Sequence, residues 1–106
     1  DVKWLSLPKE PKHGRHGWQS FVTYVKPELA PAPRNNIMEK LQAMGISTRP
    51  GTHAIHMLSL YKERFGLAAD DFPGARDCNN YTMAIPLHNR MDNVDYEYVV
   101  HCIKSL

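Results

Sequence analysis

Prolines divide this sequence into short segments, which limits the length of every helix and strand that it can form. Pro8 and Pro11 oppose a helix in residues 1–17, so this stretch, rich in Pro, Lys, His and Gly, is predicted to be an extended lead-in. Three more prolines between Pro27 and Pro33 require a loop. The aromatic and β-branched run between them, Trp18–Val25, is typical of a strand. The chain is therefore predicted to begin with one strand, and the first helix follows the proline loop.

A capping signal marks the start of that helix. Asn36 is followed three residues later by Glu39, which is the spacing of a capping box. The helix is predicted to run to Met44, because Gly45 stands where a helix C-cap glycine would stand. A short strand is predicted next, over Ile46–Arg49.

Three helices and one strand are predicted in the second half of the chain, and the second of these helices follows Phe72-Pro73. Ile55–Phe65 has apolar residues at helical spacing, and Gly66 would end that helix. Met83–Leu87 is predicted to be a short strand, in which Pro86 indicates an edge or a strand end. Asp92 is predicted to cap the last helix. The apolar stripe of that helix consists of Val94, Tyr98, Cys102 and Leu106, widened by Val99 and Ile103.

The predicted order of elements is β, α, β, α, α, β, α, without internal repeats. A chain of 106 residues fits one domain, and 42% hydrophobic residues suffice for a core. Short strands separated by helices favour an α/β or α+β sandwich, with a small, mostly antiparallel sheet and helices packed on it. We expect the core to combine the first and last helices with the strand near Phe21 and Val25, so that Leu41 and Ile103 are buried.

Charge and cysteine content narrow the class of protein. Thirteen basic and eleven acidic residues give a net charge of +2, which is too balanced to predict nucleic-acid binding. No apolar run is long enough for a membrane span, and no signal peptide is visible. Cys78 and Cys102 form no CxxC motif, and both fall on apolar stripes, which favours buried free thiols in a reducing compartment, the cytoplasm. Because the sequence does not begin with Met, we expect a processed product, an excised fragment or a partial chain.

The segment from Gly45 to Leu58 has the composition most suited to ligand binding. It places an arginine, two glycines and two histidines after a predicted helix end and strand. Glycine allows the backbone to approach a ligand closely, and arginine offers forked donors for phosphate or carboxylate. A histidine ring can donate, accept or titrate near neutral pH. Arg49, His53 and His56 are therefore candidate binding residues, and the alternative is a structured turn whose polar groups are solvated.

Other functional motifs are weak or missing. His13-x-x-His16 and His53-x-x-His56 have a spacing that could place two imidazoles on one metal, but no further ligand has a suitable spacing. No metal site is therefore predicted. The adjacent Asp70 and Asp71 precede an apparent helix, so helix capping is favoured over a metal or acid–base role. The sequence has no GxSxG, GxGxxG or GxxxxGK[ST] motif, so neither a hydrolase nor an autonomous nucleotide-binding loop is indicated.

Several motifs stand in the order, and close to the spacing, of one protein family. They are Trp4–Pro8, His16–Val22, Arg34, Gly45-Ile46, Thr48–His56, Tyr61, Phe72–Ala75, Ile85–His88 and Tyr98–Val100. Together they resemble the C-terminal domain of the DegT/DnrJ/StrS family, the pyridoxal-phosphate (PLP)-dependent nucleotide-sugar aminotransferases of fold type I. Thr48–His56 resembles most the perosamine-synthase-like branch, which aminates a 4-keto-6-deoxy sugar on a nucleotide. Where many members have a His-Tyr-Pro stretch, this chain has the shorter Gly51-Thr52-His53, so Thr52 and His53 are both candidates for the family's substrate contact.

The resemblance implies that residues 18–106 are the C-terminal small domain of an aminotransferase, and that residues 1–17 lead in from a large domain. None of the lysines here matches the family's cofactor lysine, so the PLP would be held mainly by the large domain. No catalytic residue is expected in this chain, and alone it should be inactive. The complete enzyme would be a cytoplasmic homodimer that functions in polysaccharide biosynthesis. It would transfer an amino group, with glutamate as the expected donor, to a nucleotide-linked keto sugar. Arg49, His53 and His56 would then contact this substrate.

Two alternatives remain open at the level of sequence. The first is a stand-alone ligand-binding or regulatory module that has kept the fold and lost the chemistry. The second is a metal-binding module that uses the two HxxH pairs.

Overall fold

The computed structural model describes residues 2–106, which contain four strands and four helices. The strands are β1 (Leu5–Ser6), β2 (Phe21–Val25), β3 (Arg49–Pro50) and β4 (Thr82–Ile85). The helices are α1 (Arg34–Ala43), α2 (Ser59–Phe65), α3 (Pro73–Tyr81) and α4 (Asn93–Ser105), and two 3₁₀ turns, Ile55–Met57 and Ala69–Asp71, flank α2. The predicted α/β class is confirmed. None of the helices in residues 2–106 has the length and hydropathy needed to cross a membrane.

The strands form one sheet in the order β1-β2-β4-β3, and all neighbours are antiparallel. Leu5 of β1 pairs with Val25, so the predicted lead-in contributes an edge strand to this sheet. Ala84 of β4 pairs with Arg49 of β3 on the opposite edge. Pro86 follows directly after β4, as expected for a proline at a strand end. The mostly antiparallel sheet predicted from sequence is thus present.

One hydrophobic core joins the sheet to α1 and α4. It contains Leu5, Val25, Ile37, Leu41, Ile46, Met83, Val99, Cys102 and Ile103. Leu41 and Ile103 are buried as predicted. Phe21 differs from the prediction, because its ring is only partly buried and stacks on the exposed Trp18 with ring centroids 5.5 Å apart. Phe21 is the first residue of β2, where the strand emerges from the loop, so its side chain lies at the margin of the core.

The first helix begins two residues before the predicted cap. Pro33 is its N-cap residue, and Asn36 lies inside the first turn, with no side-chain cap at this helix end. The first helical residue, Arg34, donates instead to the main-chain carbonyl of Thr82, 48 residues away in sequence. The helix therefore starts where Arg34 makes a tertiary contact, and not where the local capping signal predicts its start.

The last helix follows its local signal. The Asp92 carboxylate accepts a hydrogen bond from the Asp95 N–H at 3.0 Å, and the Asp95 carboxylate accepts from the Asp92 N–H at 3.2 Å. This is a complete capping box. Of the predicted stripe, Val99, Cys102 and Ile103 are buried. Val94 and Tyr98 are 71% and 49% exposed, so this part of the predicted apolar face is wrong.

The helix predicted over Ile55–Phe65 is interrupted at Leu58, which has an extended backbone with ψ of 136°. A 3₁₀ turn precedes this break, and α2, which has no buried residue, follows it. Gly66 ends α2 in the left-handed conformation with φ of 64°, as predicted for a C-terminal glycine. The strand predicted over Ile46–Arg49 is displaced to β3, because Ile46 turns into the core and is only 3% exposed.

The two cysteines differ from each other in their environment, and so do the adjacent residues Asp70 and Asp71. Cys102 is buried as predicted, whereas Cys78 is exposed on α3, contrary to the prediction. The Asp71 carboxylate accepts from the Ala68 N–H at 2.8 Å and so caps a 3₁₀ turn, whereas Asp70 pairs with Arg76.

Candidate functional site

Arg49 lies at the edge of the sheet and lines a cavity. It is exposed on β3, and the adjacent cavity has a volume of about 520 Å³. The lining also includes three polar side chains from the C-terminal part of the chain: His88, Asp95 and Tyr98. The hydroxyl of Tyr98 donates to the Met44 carbonyl at 2.9 Å. Within residues 2–106 no hydrogen bond or ion pair engages the Arg49 side chain, so its forked donors are available to a small ligand in this cavity.

His53 is exposed on a short loop, residues 51–54, between β3 and the first 3₁₀ turn. Two hydrogen bonds donated by main-chain N–H groups hold this loop. The Gly51 N–H donates to the Thr82 carbonyl at 3.1 Å, and the Ala54 N–H donates to the side-chain oxygen of Asn79 at 3.0 Å. His53 therefore stands in solvent between two fixed points.

The start of this loop, at Gly51, has room for glycine but not for a residue with a side chain. A Cβ at this position would lie 2.5 Å from both Thr82 Oγ1 and Val22 Cγ1. The loop backbone therefore runs in contact with the outer surface of β2 and β4. The glycine content that marks this segment in the sequence has a steric reason here.

His56 occupies a different environment from Arg49 and His53. Its side chain is 7% exposed, its Nε2 lies 3.1 Å from the Ala69 carbonyl, and its ring centroid is 5.0 Å from that of Phe72. A carbonyl oxygen can only accept, so Nε2 carries the proton in this contact. His56 thus ties the segment to the turn before α3. Of the three predicted site residues, Arg49 lines the cavity described above, whereas His53 and His56 do not.

Arg34 contacts the two residues that hold the loop, Thr82 and Asn79, and residue chemistry alone does not identify it as part of this region. Its Nη1 donates to the Thr82 carbonyl at 3.1 Å and its Nη2 donates to the Asn79 carbonyl at 2.9 Å. The ion pairs in residues 2–106 are those of Arg76, so the guanidinium of Arg34 faces carbonyl oxygens rather than a carboxylate. Burial lowers the pKa of Arg34 from its ordinary value.

The histidine pairs do not converge with other metal ligands. In residues 2–106, no three side chains of His, Cys, Asp or Glu lie together as a metal-binding cluster. The Nδ1 of His16 accepts a hydrogen bond from the Trp18 N–H at 2.9 Å. With the Nε2 of His56 donating to Ala69, one nitrogen in each pair is engaged within the protein.

A family model matches residues 1–104, nearly the whole chain, and it describes the DegT/DnrJ/EryC1/StrS aminotransferase family. The chain belongs to this family. It is 27% identical over 106 residues to the spore coat polysaccharide biosynthesis protein SpsC of Bacillus subtilis, covering 99% of this chain and 27% of SpsC. It is also 26% identical over 93 residues to the GDP-perosamine synthase of Caulobacter vibrioides, covering 88% of this chain and 24% of that enzyme.

The fold of this DegT-family chain is found in solved structures. The PLP-form of Spr1654 from Streptococcus pneumoniae superposes with a TM-score of 0.83 at 19% identity, covering 96% of this chain and 26% of that one. The chain thus spans about a quarter of the length of the relatives that it matches.

Aminotransferases of this family depend on PLP. A protein holds PLP as a Schiff base with a lysine and pairs the pyridinium nitrogen with a carboxylate. The cavity beside Arg49 is lined by Asp95 but by no lysine. A second cavity, between the lead-in and α4, is lined by Lys104 but by no carboxylate. Neither of these two cavities offers both groups, so neither fits the cofactor. Glu97 and Lys104 lie together in a shallow depression on the surface of α4, but its lining comes from that helix alone, so it does not enclose the cofactor.

Proposed function

We propose that residues 18–106 are the C-terminal small domain of a PLP-dependent aminotransferase, and that residues 1–17 lead into it from a large domain. In this proposal the complete enzyme transfers an amino group to a nucleotide-linked keto sugar. The observation that carries this proposal is a family match over residues 1–104 in a chain that spans about a quarter of its relatives. GDP-perosamine synthase is among those relatives, which supports a nucleotide sugar as the substrate class.

In this proposal the cofactor lysine belongs to the remainder of the protein. Neither of the two cavities described above combines a lysine with a carboxylate. The small domain then serves to cover the cleft and to position the substrate, with glutamate as the amino donor. By the same resemblance, the complete enzyme is a cytoplasmic homodimer.

Arg49 and His53 are the proposed substrate contacts. Both are exposed, and the loop that follows Arg49 is held at Gly51 and Ala54. Arginine suits a phosphate of the nucleotide, because its planar fork makes two parallel hydrogen bonds. The His53 ring suits a sugar hydroxyl or the nucleotide, because it can donate and accept. His56, the third predicted contact, is assigned the role of holding the segment, since its Nε2 is engaged by the Ala69 carbonyl.

Steady-state kinetics of the complete protein with a nucleotide-linked keto sugar test this assignment. Arg49→Ala should lower kcat/KM by about 10- to 150-fold, which corresponds to a charge-assisted hydrogen bond of about 1.5–3 kcal/mol. His53→Ala should lower it by about 2- to 12-fold, which corresponds to an ordinary hydrogen bond of about 0.5–1.5 kcal/mol. Arg64→Ala and His101→Ala remove exposed residues of the same types, on α2 and α4, and should leave kcat/KM unchanged. Unchanged kinetics in Arg49→Ala and His53→Ala, with a lower Tm, would show that the two side chains are structural.

The location of the cofactor lysine has a test of its own. The chain of residues 1–106 should not form a specific Schiff base, so borohydride reduction after PLP titration should label its lysines in a scattered, substoichiometric way. Peptide mapping that finds one stoichiometrically labelled lysine, together with glutamate-dependent turnover, would place the catalytic apparatus in this chain and refute the proposal.

A further inference from the structure

The loop of residues 51–54 has one buried anchor that comes from a side chain. Ala54 is 4% exposed, so its N–H is shielded from water and requires an acceptor within the protein. That acceptor is the side-chain oxygen of Asn79, at 3.0 Å, from the last turn of α3. The position of His53, one residue before Ala54, therefore depends on a side chain 25 residues further along the chain.

The amide nitrogen of Asn79 has a partner of its own. It donates to the side-chain oxygen of Asn80 at 3.1 Å, whereas the amide oxygen faces Ala54 because the Ala54 N–H can only donate. Asn80 makes this contact with Asn79, and the hydrogen bonds that hold the loop come from Thr82 and Asn79. The two neighbouring asparagines thus have separable roles.

A single guanidinium braces both anchors of the loop. Arg34 donates to the main-chain carbonyl of Asn79, and it also donates to the Thr82 carbonyl, which accepts the Gly51 N–H. These carbonyls lie at the C-terminal end of α3, where a cation is favoured by the helix dipole. The planar fork of arginine can reach two carbonyls at once, which the single ammonium of lysine does less well.

We propose that Asn79 is a positioning residue for substrate binding, and that Arg34 holds it in place. Neither side chain is assigned a contact with the substrate. Asn79 sets the path of residues 51–54, and this loop carries His53, four residues after Arg49. The inference rests on the proposed function, in which Arg49 and His53 bind the nucleotide sugar.

The test uses three variants of the complete protein. Asn79→Ala removes the acceptor for the Ala54 N–H, Asn79→Asp keeps an acceptor at the same position, and Asn80→Ala is the matched control on the same helix. In Asn79→Asp the amide of Asn80 can rotate to present its nitrogen to the new carboxylate. We expect KM for the keto sugar nucleotide to rise about 10-fold in Asn79→Ala while kcat changes less than about 2-fold, because binding geometry rather than chemistry is disturbed.

Asn79→Asp and Asn80→Ala should keep KM within about 2-fold of the parent protein. Arg34→Lys should give an intermediate rise in KM, since one of its two carbonyl contacts is lost. Should Asn79→Ala fail to accumulate, Asn79→Gln, in which the acceptor is displaced by one methylene, takes its place in the same comparison.

Hydrogen–deuterium exchange gives a readout that is independent of activity. The peptide that contains Ala54 should exchange faster in Asn79→Ala than in Asn79→Asp or Asn80→Ala, because only the first loses the acceptor. An unchanged KM in Asn79→Ala overturns the inference, whether or not exchange accelerates. A normal KM in Arg49→Ala and His53→Ala instead overturns the proposed function, so the two failures are distinguishable.

Discussion

Helices α4 and α2 both have apolar residues at helical spacing, yet they have opposite relations to the core. α4 spans 13 residues, has a complete capping box and buries Val99, Cys102 and Ile103. α2 spans seven residues, has no side-chain cap and buries none. Its Leu60 and Phe65 are 66% and 59% exposed. The comparison teaches that periodicity identifies a helix, whereas burial depends on a partner surface elsewhere in the chain.

Within α2 the apolar side chains contact one another rather than the sheet. The rings of Tyr61 and Phe65 stack with centroids 6.3 Å apart, and the guanidinium of Arg64 lies 5.5 Å from the Phe65 ring. Such pairs on one helix contribute a few tenths of a kcal/mol, far less than a core position. The nearest buried side chain before this helix is His56, whose contacts are with Ala69 and Phe72 outside the core.

The largest expected difference in stability is between aliphatic residues of the core and an aliphatic residue of α2. Leu41→Ala and Ile103→Ala should each lower the free energy of unfolding by about 2–5 kcal/mol, since both side chains are buried and leave a cavity. Leu60→Ala on α2 should change it by less than about 0.5 kcal/mol. Urea unfolding of each variant measures these values. A loss below about 0.5 kcal/mol at both core positions would mean that the core is wrongly assigned.

A smaller difference is expected between the two histidines of the same segment. His56→Ala should cost about 1–3 kcal/mol, because it removes a buried ring and its hydrogen bond to Ala69. His53→Ala should be within about 0.5 kcal/mol of the parent, since its side chain is exposed. Thermal and urea unfolding provide the measurement. Equal losses at both positions would contradict the separation of a structural and a solvent-facing histidine.

The smallest predicted effect concerns the helix caps. Asp92→Ala should lower stability by about 1 kcal/mol, because the Asp95 N–H loses its acceptor at the start of α4. Asn36→Ala should be neutral or slightly stabilising, because Asn36 lies inside the first turn of α1 and alanine has the higher helix propensity. The same unfolding experiment decides the matter, and a loss of about 1 kcal/mol in Asn36→Ala would restore Asn36 as a cap.

Much of the fold can be predicted from short-range patterns. The cap of α4 at Asp92, the end of α2 at Gly66 and the end of β4 before Pro86 all involve residues within three positions of each other, and all are confirmed. Predictions were less accurate where a distant residue decides. Asn36 is not the cap of α1, whose first residue contacts Thr82, and Val94 does not face the core.

The sequence by itself determined the family, the antiparallel α/β class and the candidate segment that contains Arg49, His53 and His56, because these depend on residue types and their order. The tertiary structure alone decided which of these side chains are available. His56 is buried because the turn at Ala69 folds back on it, and His53 is exposed because Asn79 holds the adjacent Ala54. Contacts across 13 and 25 residues leave no periodic signal, so only the folded chain separates a solvent-facing histidine from a buried one.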